Sequence, residues 1–337
     1  MAKLDYLVKR IKEMNFGRML DTVEKVHIDS GKGHMLVLFD MIVCAFKYQA
    51  GYSDYALFEM YKLNKAQRST VVTRGINNSF IKEFNNPEYT ELINNKLRFA
   101  RLFSDFMHRD WLDLTTAPKE EFADFVKKHP EFIAKPASGM CGKGIQKINA
   151  QASDLGRLRE YLIGNDLLLL EEIIVQHPAM HRLHPYSVNT CRIVTLHKDG
   201  KTKVVVAYLR IGNGRLVDNF NSAGMVVPIN ENTGLAEFCA VDKQGKLYEK
   251  HPITYEAING FRVPDWEEVL SLVKKAGAVV PQVGLVGWDV ALSDRGPLLV
   301  EGNNFPGHDI YGLPAHCKNG IGVLPKFKEA IKNLSGR

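Results

Sequence analysis

Several features that would classify a protein on sight are missing from this chain. Its longest apolar run, residues 35–46, is interrupted by Asp40 and is too short to span a bilayer. The first residues include Lys3, Lys9, Arg10, Lys12 and Glu13 and lack the apolar core of a signal peptide. A cytoplasmic protein without a membrane partner is therefore expected. Five cysteines, at positions 44, 141, 191, 239 and 317, are scattered without C-x-x-C spacing, which argues against a disulfide framework and a zinc site. The net charge of +6 is spread over the whole chain. With no basic tail, arginine run or aromatic-interleaved basic stripe, no nucleic-acid partner is expected. There is no G-x-x-x-x-G-K-[ST] phosphate loop, and spacing fixes no Ser/His/Asp or Cys/His set. What remains is an ordinary globular composition, 45% apolar and 24% charged, in which a mild cationic excess suits an anionic ligand.

Residues 1–128 read as mostly helical. Leu4, Leu7, Val8 and Ile11 recur at helical spacing, and residues 34–48 form a long apolar helix. Ser53 is the expected N-cap of a helix over 54–60, and 92–109 is an amphipathic helix with Lys96 in its opening turns. Met107-His-Arg-Asp110 imitates a kinase triplet, but Thr115 stands where that motif needs asparagine and no Asp-Phe-Gly follows, so it reads as chance. From Glu131 onward the pattern changes to β-rich alternation. Ser153 is expected to cap a helix over 154–163, and 167–175 is a buried strand ending in Glu171 and Glu172. Residues 191–197 and 203–211 alternate as strands around Lys198-Asp-Gly-Lys201, a hairpin turn, and Asp265 is the expected N-cap of a helix over 266–278. His177, His181 and His184 lie in a segment broken by Pro178 and Pro185, which favours a substrate-facing loop over a zinc site.

Two stretches carry the chemistry. In the first, strand-like runs flank a loop with Gly139, Gly142 and Gly144, while Lys135 ends the leading strand and Lys143 sits in the loop. Glycines let successive backbone N–H groups converge on an anion such as phosphate, although a plain glycine-turn hairpin fits the same residues. In the second, 284–292 and 297–303 flank Ser293-Asp-Arg-Gly296 as a hairpin. If Leu292 faces Leu298, Asp289 falls opposite Glu301 at about 5 Å between Cβ atoms, with Asn303 on the same face. Two carboxylates so close repel unless a cation lies between them, and oxygen ligands suit Mg²⁺ or Mn²⁺; solvated surface acids are the alternative. Trp288, Val290, Leu298 and Val300 are expected on the buried face, and Gly302 is expected to leave room beside the acidic pair.

The ordered set Lys96, Lys135-Pro136, the loop 138–145, Leu170-Glu-Glu-Ile-Ile174, Asn189-Thr-Cys-Arg192, Asp289 and Glu301-Gly-Asn303 resembles the ATP-grasp superfamily. Asn95-Lys-Leu-Arg-Phe and the Gly287-Trp-Asp-Val and Val300-Glu-Gly-Asn blocks look like its sugar-transfer-associated group. The resemblance implies an α+β fold, two ATP-grasp lobes clamping a nucleotide, with a mainly helical N-terminal region. The expected division is a helical region over 1–90, a small lobe with the glycine-rich loop over 91–175, and a large lobe with the metal site over 176–337. It further implies ATP and Mg²⁺ (or Mn²⁺) and a ligase that converts a small-molecule carboxylate, sugar- or peptide-linked, to an acyl phosphate captured by an amine or other nucleophile. A small-molecule kinase and a non-catalytic nucleotide-binding protein are the alternatives. By the same resemblance Lys96 and Lys135 contact phosphates, and the loop with Ser138, Gly139, Gly142, Lys143 and Gly144 closes over them. Glu171 and the backbone of Glu172 and Ile174 receive adenine, and Arg192 acts on the transferring group. Asp289, Glu301 and Asn303 hold the metal. Where the family often has an acid for the ribose, this chain offers Gln176 and His177.

Overall fold

Helix placement in the first eighty residues follows from where polar groups can be satisfied. A computed structural model describes residues 15–139, 144–151, 153–214, 220 and 224–336. The Leu4 to Ile11 pattern, Cys141, Gly142 and Lys143 lie outside the described residues. The chain divides into two compact units, residues 1–80 with 307–325 and residues 81–306 with 326–337.

In the first unit the helices Phe16–Ser30 and His34–Tyr48 are joined through Gly31, whose φ of 68° ends the first helix in a left-handed cap. Val23, Val26, Val37, Met41 and Cys44 pack between them and against Tyr55 and Phe58. Asp40, the one acid in the second helix, points inward, accepting hydrogen bonds from Arg68 and from the Tyr55 hydroxyl at 2.7 Å. The next helix is Tyr52–Leu57, and its N-cap is Gly51 rather than Ser53; the Asp54 carboxylate caps back onto the Gly51 N–H.

The second unit holds two antiparallel sheets among the described residues. Strands β1 (Trp111–Asp113), β2 (Glu131–Lys135), β3 (Gln146–Asn149) and β4 (Leu169–Glu172) form a four-stranded sheet in the order β1-β4-β2-β3. Alternation along β2 turns Phe132 and Ala134 to one face, where the helices Lys119–Lys128 and Leu155–Gly164 cover them with Phe122, Phe125, Val126 and Leu162. Lys135 and Glu171 occupy the other face. The N-cap of Leu155–Gly164 is Asp154, not Ser153. The expected long helix over 92–109 is broken into Glu91–Asn94, Lys96–Leu102 and Ser104–Met107, because the Asn95 side chain accepts from the N–H groups of Leu97 and Arg98 and starts a new helix there.

The larger sheet runs β11-β10-β5-β6-β7-β8-β9, with β5 at Thr190–Lys198, β6 at Lys201–Ile211, β7 at Met225–Ile229, β8 at Ala240–Val241, β9 at Leu247–Tyr248, β10 at Leu285–Ser293 and β11 at Gly296–Asn303. Left-handed Asp199 and Gly200 make the tight β5–β6 turn. One face of the sheet, including Ile193, Trp288, Val290 and Leu299, is covered by the amphipathic helix Trp266–Ala276 through Val269, Leu272, Val273 and Ala276. Asp265 precedes that helix but its side chain makes no cap hydrogen bond.

The β10–β11 hairpin corrects one inference. Its turn sets Leu292 against Pro297, not Leu298, and in that register Glu301 would face Trp288 on the core side. A β-bulge between the Val290–Leu299 and Asp289–Glu301 pairs inserts Val300 as one extra residue and brings Glu301 opposite Asp289. Gly302 serves the core instead of the acidic pair, since a Cβ there would lie 3.0–3.2 Å from Ile93, Phe99 and Trp288. No described helix is long and apolar enough to cross a membrane.

Buried polar residues fix the segment between the sheets' connections. Gln176 donates to the carbonyls of His184 and Ser187 and accepts from Asn189. His184 accepts from the Gly214 N–H and its ring lies tilted at 5.2 Å from that of His251, whose Nε2 meets the Gly212 carbonyl at 2.9 Å. Burial, then the His251 charge, pushes His184 down to about 4, and burial lowers His251 as well. Both imidazoles thus stay neutral in the folded state and gain protons more readily when unfolded. The His184 contribution is complete above pH 6.5 and is lost as pH falls through that value toward about 4, and His251 acts in the same direction. The melting midpoint should fall across this window, and His184→Asn, less stable at pH 7, should show a shallower slope. A scan of thermal unfolding against pH checks this.

Candidate functional site

The faces of the two sheets that are not covered by helices carry charged side chains that the core could not accept. Lys96, as the first residue of its helix, donates its backbone N–H to the Ala137 carbonyl at 2.9 Å and its Nζ to the Gly139 carbonyl at 2.6 Å. It is thereby fixed against the entrance of the glycine loop. Gly139 and Gly144 have φ of 132° and 78°, values open to glycine and strained for other residues, and Ser138 is exposed. Lys135, at the end of β2, is buried with its Nζ 2.5 Å from Glu171 Oε2.

Glu171 is more heavily committed than expected. Besides Lys135 it accepts from Arg109 Nη2 at 2.8 Å, and Arg109 also donates to the Leu299 carbonyl at 2.6 Å. Arg109 therefore ties β4 of the smaller sheet to β11 of the larger one. Burial alone would raise the Glu171 carboxyl, but the two cations outweigh it and hold the group at about 2. Its side chain is engaged with these two cations. Glu172 accepts from Arg295 at 2.7 Å and gives its backbone N–H to the Asp110 carbonyl. Ile174 is half-buried in the connection that follows. Gln176 and His177, the ribose candidates, are used structurally: Gln176 in the buried network above, and His177 Nδ1 as the cap accepting from Ala179 N–H at 3.1 Å. The structure brings neither side chain to the charged face.

On the larger sheet Asp289 lies beside Arg192 on β5 and opposite Glu301 on β11. Arg192 binds it in bidentate fashion, at 2.5 and 2.9 Å, and Arg210 adds a third contact at 2.8 Å. Burial opposes the charge on Asp289, but Arg192 and Arg210 overcome it and hold the carboxyl well below its usual range. Arg192 is raised: burial disfavours its charge and Asp289 more than compensates. Glu301 shifts the other way, raised by burial and by Asp289, with which it shares a side-chain hydrogen bond. Asn303 Nδ2 is 3.4 Å from Glu301 Oε1. Two touching carboxylates, one of them pushed toward its protonated form, with an amide beside them, form a donor set that fits a hard divalent cation. Half-buried Lys96 is lowered first by desolvation, and it feels Glu301, Lys135 and Glu171 together. Residues from both sheets therefore share one electrostatic neighbourhood, in which cations outnumber acids.

Arg109 and Arg210 were missed from the sequence. Arg109 belongs to the triplet dismissed as a chance kinase match. It is no kinase motif, since His108 bonds the Pro297 carbonyl and Asp110 pairs with Lys128 and His129. Arg210 carried a usable signal, being an arginine inside the apolar strand β6, the same feature that singled out Arg192. Asp110, His129 and Glu172 also form a cluster with metal-ligand spacing, but Lys128 and Arg295 already supply its counter-charge.

Glu171→Gln should leave Arg109 buried without its counter-charge and destabilise the fold by about 3–5 kcal/mol in urea denaturation at pH 7. In the wild-type protein the Glu171 contribution is present above pH 4.5 and lost as pH falls toward about 2. The variant should therefore be less sensitive to acid than the parent over that range.

The chain matches the family model described as sugar-transfer-associated ATP-grasp over residues 75–329, well over half its length. Comparison with curated proteins finds no match. Among solved structures, D-alanyl-alanine synthetase A from Vibrio cholerae O1 biovar eltor is 14% identical with a TM-score of 0.44, covering 75% of this chain and 68% of that one. The ATP-grasp ligase PsnB, complexed with minimal precursor, Mg and ADP, is 14% identical with a TM-score of 0.44, covering 80% and 69%. D-cycloserine synthetase DcsG is 11% identical with a TM-score of 0.43, covering 76% and 77%. With these charged faces carried on two antiparallel sheets and three quarters of its length matched to that family model, the chain belongs to the sugar-transfer-associated ATP-grasp family.

Proposed function

We propose that this protein is an ATP- and Mg²⁺-dependent ligase that activates a substrate carboxylate as an acyl phosphate, which an amine or another nucleophile then captures. The observation that carries this reading is the contact between Asp289 and Glu301 in the electrostatic reach of Lys96 and Lys135. Lys96 and Lys135 neutralise the polyphosphate from the smaller sheet, beside Ser138, Gly139 and Gly144. The backbone around Glu172 and Ile174 offers donors and acceptors to the adenine edge, with Glu171 stabilising Lys135 from behind. Asp289, Glu301 and Asn303 would hold Mg²⁺, which supplies charge neutralisation between the β- and γ-phosphates. An arriving polyphosphate competes with Asp289 for the guanidinium groups of Arg192 and Arg210, placing them on the transferring phosphoryl group. A carboxylate oxygen attacks the γ-phosphorus, its bond to the β–γ bridging oxygen breaks, and ADP leaves. The nucleophile then adds to the acyl carbon, gives up its proton and expels inorganic phosphate. This chemistry depends on positioning and charge, which these residues provide without a covalent side-chain nucleophile.

Mg-ATP at one hundred times its Kd should stabilise the fold by about 2.7 kcal/mol. Lys96→Ala should weaken ATP binding about 10-fold or more by calorimetry, while Lys201→Ala, on the exposed β5–β6 turn, should leave it unchanged. Asp289→Asn with Glu301→Gln should abolish ADP release from a panel of carboxylates and amines. A stable phosphorylated product in place of a ligated one would favour the kinase reading. If no thermal shift and no ADP release occur with any substrate pair, the proposal is wrong.

A further inference from the structure

The helix His34–Tyr48 carries apolar side chains on its outer as well as its inner face, a composition expected of a helix covered on both. Among the described residues, only one side is covered. Val37, Met41, Cys44 and Tyr48 enter the core, and Asp40 turns inward to Arg68 and Tyr55. Met35, Leu36, Phe39, Ile42 and Phe46 point outward, with Met35 at 78%, Phe39 at 65% and Phe46 at 64% exposed. On ordinary whole-residue areas these five leave roughly 600 Å² of surface, the upper end of the about 300–600 Å² of the largest patch on a typical monomer. A standard interface takes about 800 Å² from each partner. The preceding helix adds exposed Phe16 and Leu20.

We propose that this face docks on the same face of a second copy of the chain, the two helices packing antiparallel about a two-fold axis. Met35, Phe39, Ile42 and Phe46 are spaced by four, three and four residues, the heptad pattern of a coiled-coil seam. That spacing reads the same in both directions. Reversed about its midpoint, Met35 of one copy meets Phe46 of the other, and Phe39 meets Ile42. A self-complementary stripe is what an isologous interface requires. No charged side chain interrupts it: Asp40 faces inward, and Lys47 lies at the helix end, to one side of the stripe. An anionic lipid surface or a charged protein partner would therefore find no counter-charge here, whereas a second copy needs none.

Sedimentation of the full chain over a range of concentrations tests this without reference to nucleotide. The expected result is a species of twice 38.0 kDa. Phe39→Glu should raise its dissociation constant at least about 100-fold, with a melting midpoint equal to that of the dilute, monomeric parent, because the side chain is exposed in the monomer. Leu247→Glu, an exposed apolar position in the other unit, should leave the dimer intact. Met35→Lys and Phe46→Glu should each weaken the dimer, and together in one chain they should restore it, since each lysine then meets a glutamate across the axis. A monomer at about 100 µM would overturn the proposal, as would a dimer indifferent to Phe39→Glu. So would failure of the paired substitutions to restore association, or a monomer that instead floats with phosphatidylcholine vesicles. Dimerisation only after removal of residues 1–14 would show that segment to be the occupant and would overturn it equally.

Discussion

An ionised carboxylate survives inside a protein only where cations replace the water it has lost. The second unit is built around two such exchanges. Glu171 is held between Arg109 and Lys135, and Asp289 between Arg192 and Arg210. One cluster joins strands of different sheets, and the other joins neighbouring strands of the larger sheet on the face away from their shared apolar core. Arg109 links β4 to β11, and Asp289 links β10 to β5 and β6. Losing one acid would leave buried arginines with no water to turn to, so the clusters act as structural pins as well as sources of positive potential.

The same arrangement makes the site responsive to anions. The arginines on Asp289 are satisfied by a carboxylate that also touches Glu301, and Glu301 is held toward its protonated form by that contact. Adding a polyphosphate gives the arginines a competing partner, and adding a divalent cation gives the two acids one. The two additions complement each other, because each removes the group that the other's ligand had relied on. Under the proposed function, this charge arrangement predicts mutual dependence of nucleotide and metal binding.

How much of this could be read from the chain differs by level. The long helix His34–Tyr48 and the β5–β6 turn were legible, because apolar spacing and Asp-Gly are local signals. The pairing of Asp289 with Glu301 was inferred from a turn register that the hairpin does not adopt, and it arises from the bulge at Val300. Caps were misplaced by one or two residues: Asp154 caps where Ser153 competed with equal power, and the Asp54 carboxylate, by holding the Gly51 N–H, starts its helix ahead of Ser53. The break at Asn95 was missed because amphipathic spacing continued through it, while a side-chain cap ended the helix. Arg109 and the burial of Gln176 were not legible at all. Their roles depend on partners 62 to 190 residues away for Arg109, and for Gln176 on a loop whose folding no periodicity records.

The β-bulge at Val300 shows how fold and chemistry meet in one residue. The hairpin turn fixes one register, which suits the apolar pairs Val290–Leu299 and Ala291–Leu298. Continued unchanged, that register would bury Glu301 against Trp288, where a carboxylate has no partner, and would set Val300 beside Asp289. One extra residue in β11 exchanges those faces. It places the acid against its partner acid and leaves Gly302 beneath the Trp288 ring, with room for the aromatic contact to Phe103 at 5.4 Å. The alternation of β11 taken alone would have placed Leu299 and Glu301 on the same face. Only the bulge lets one strand bury the first and present the second to the charged face, so the spacing of the acidic pair is a property of an irregularity and not of the ideal hairpin.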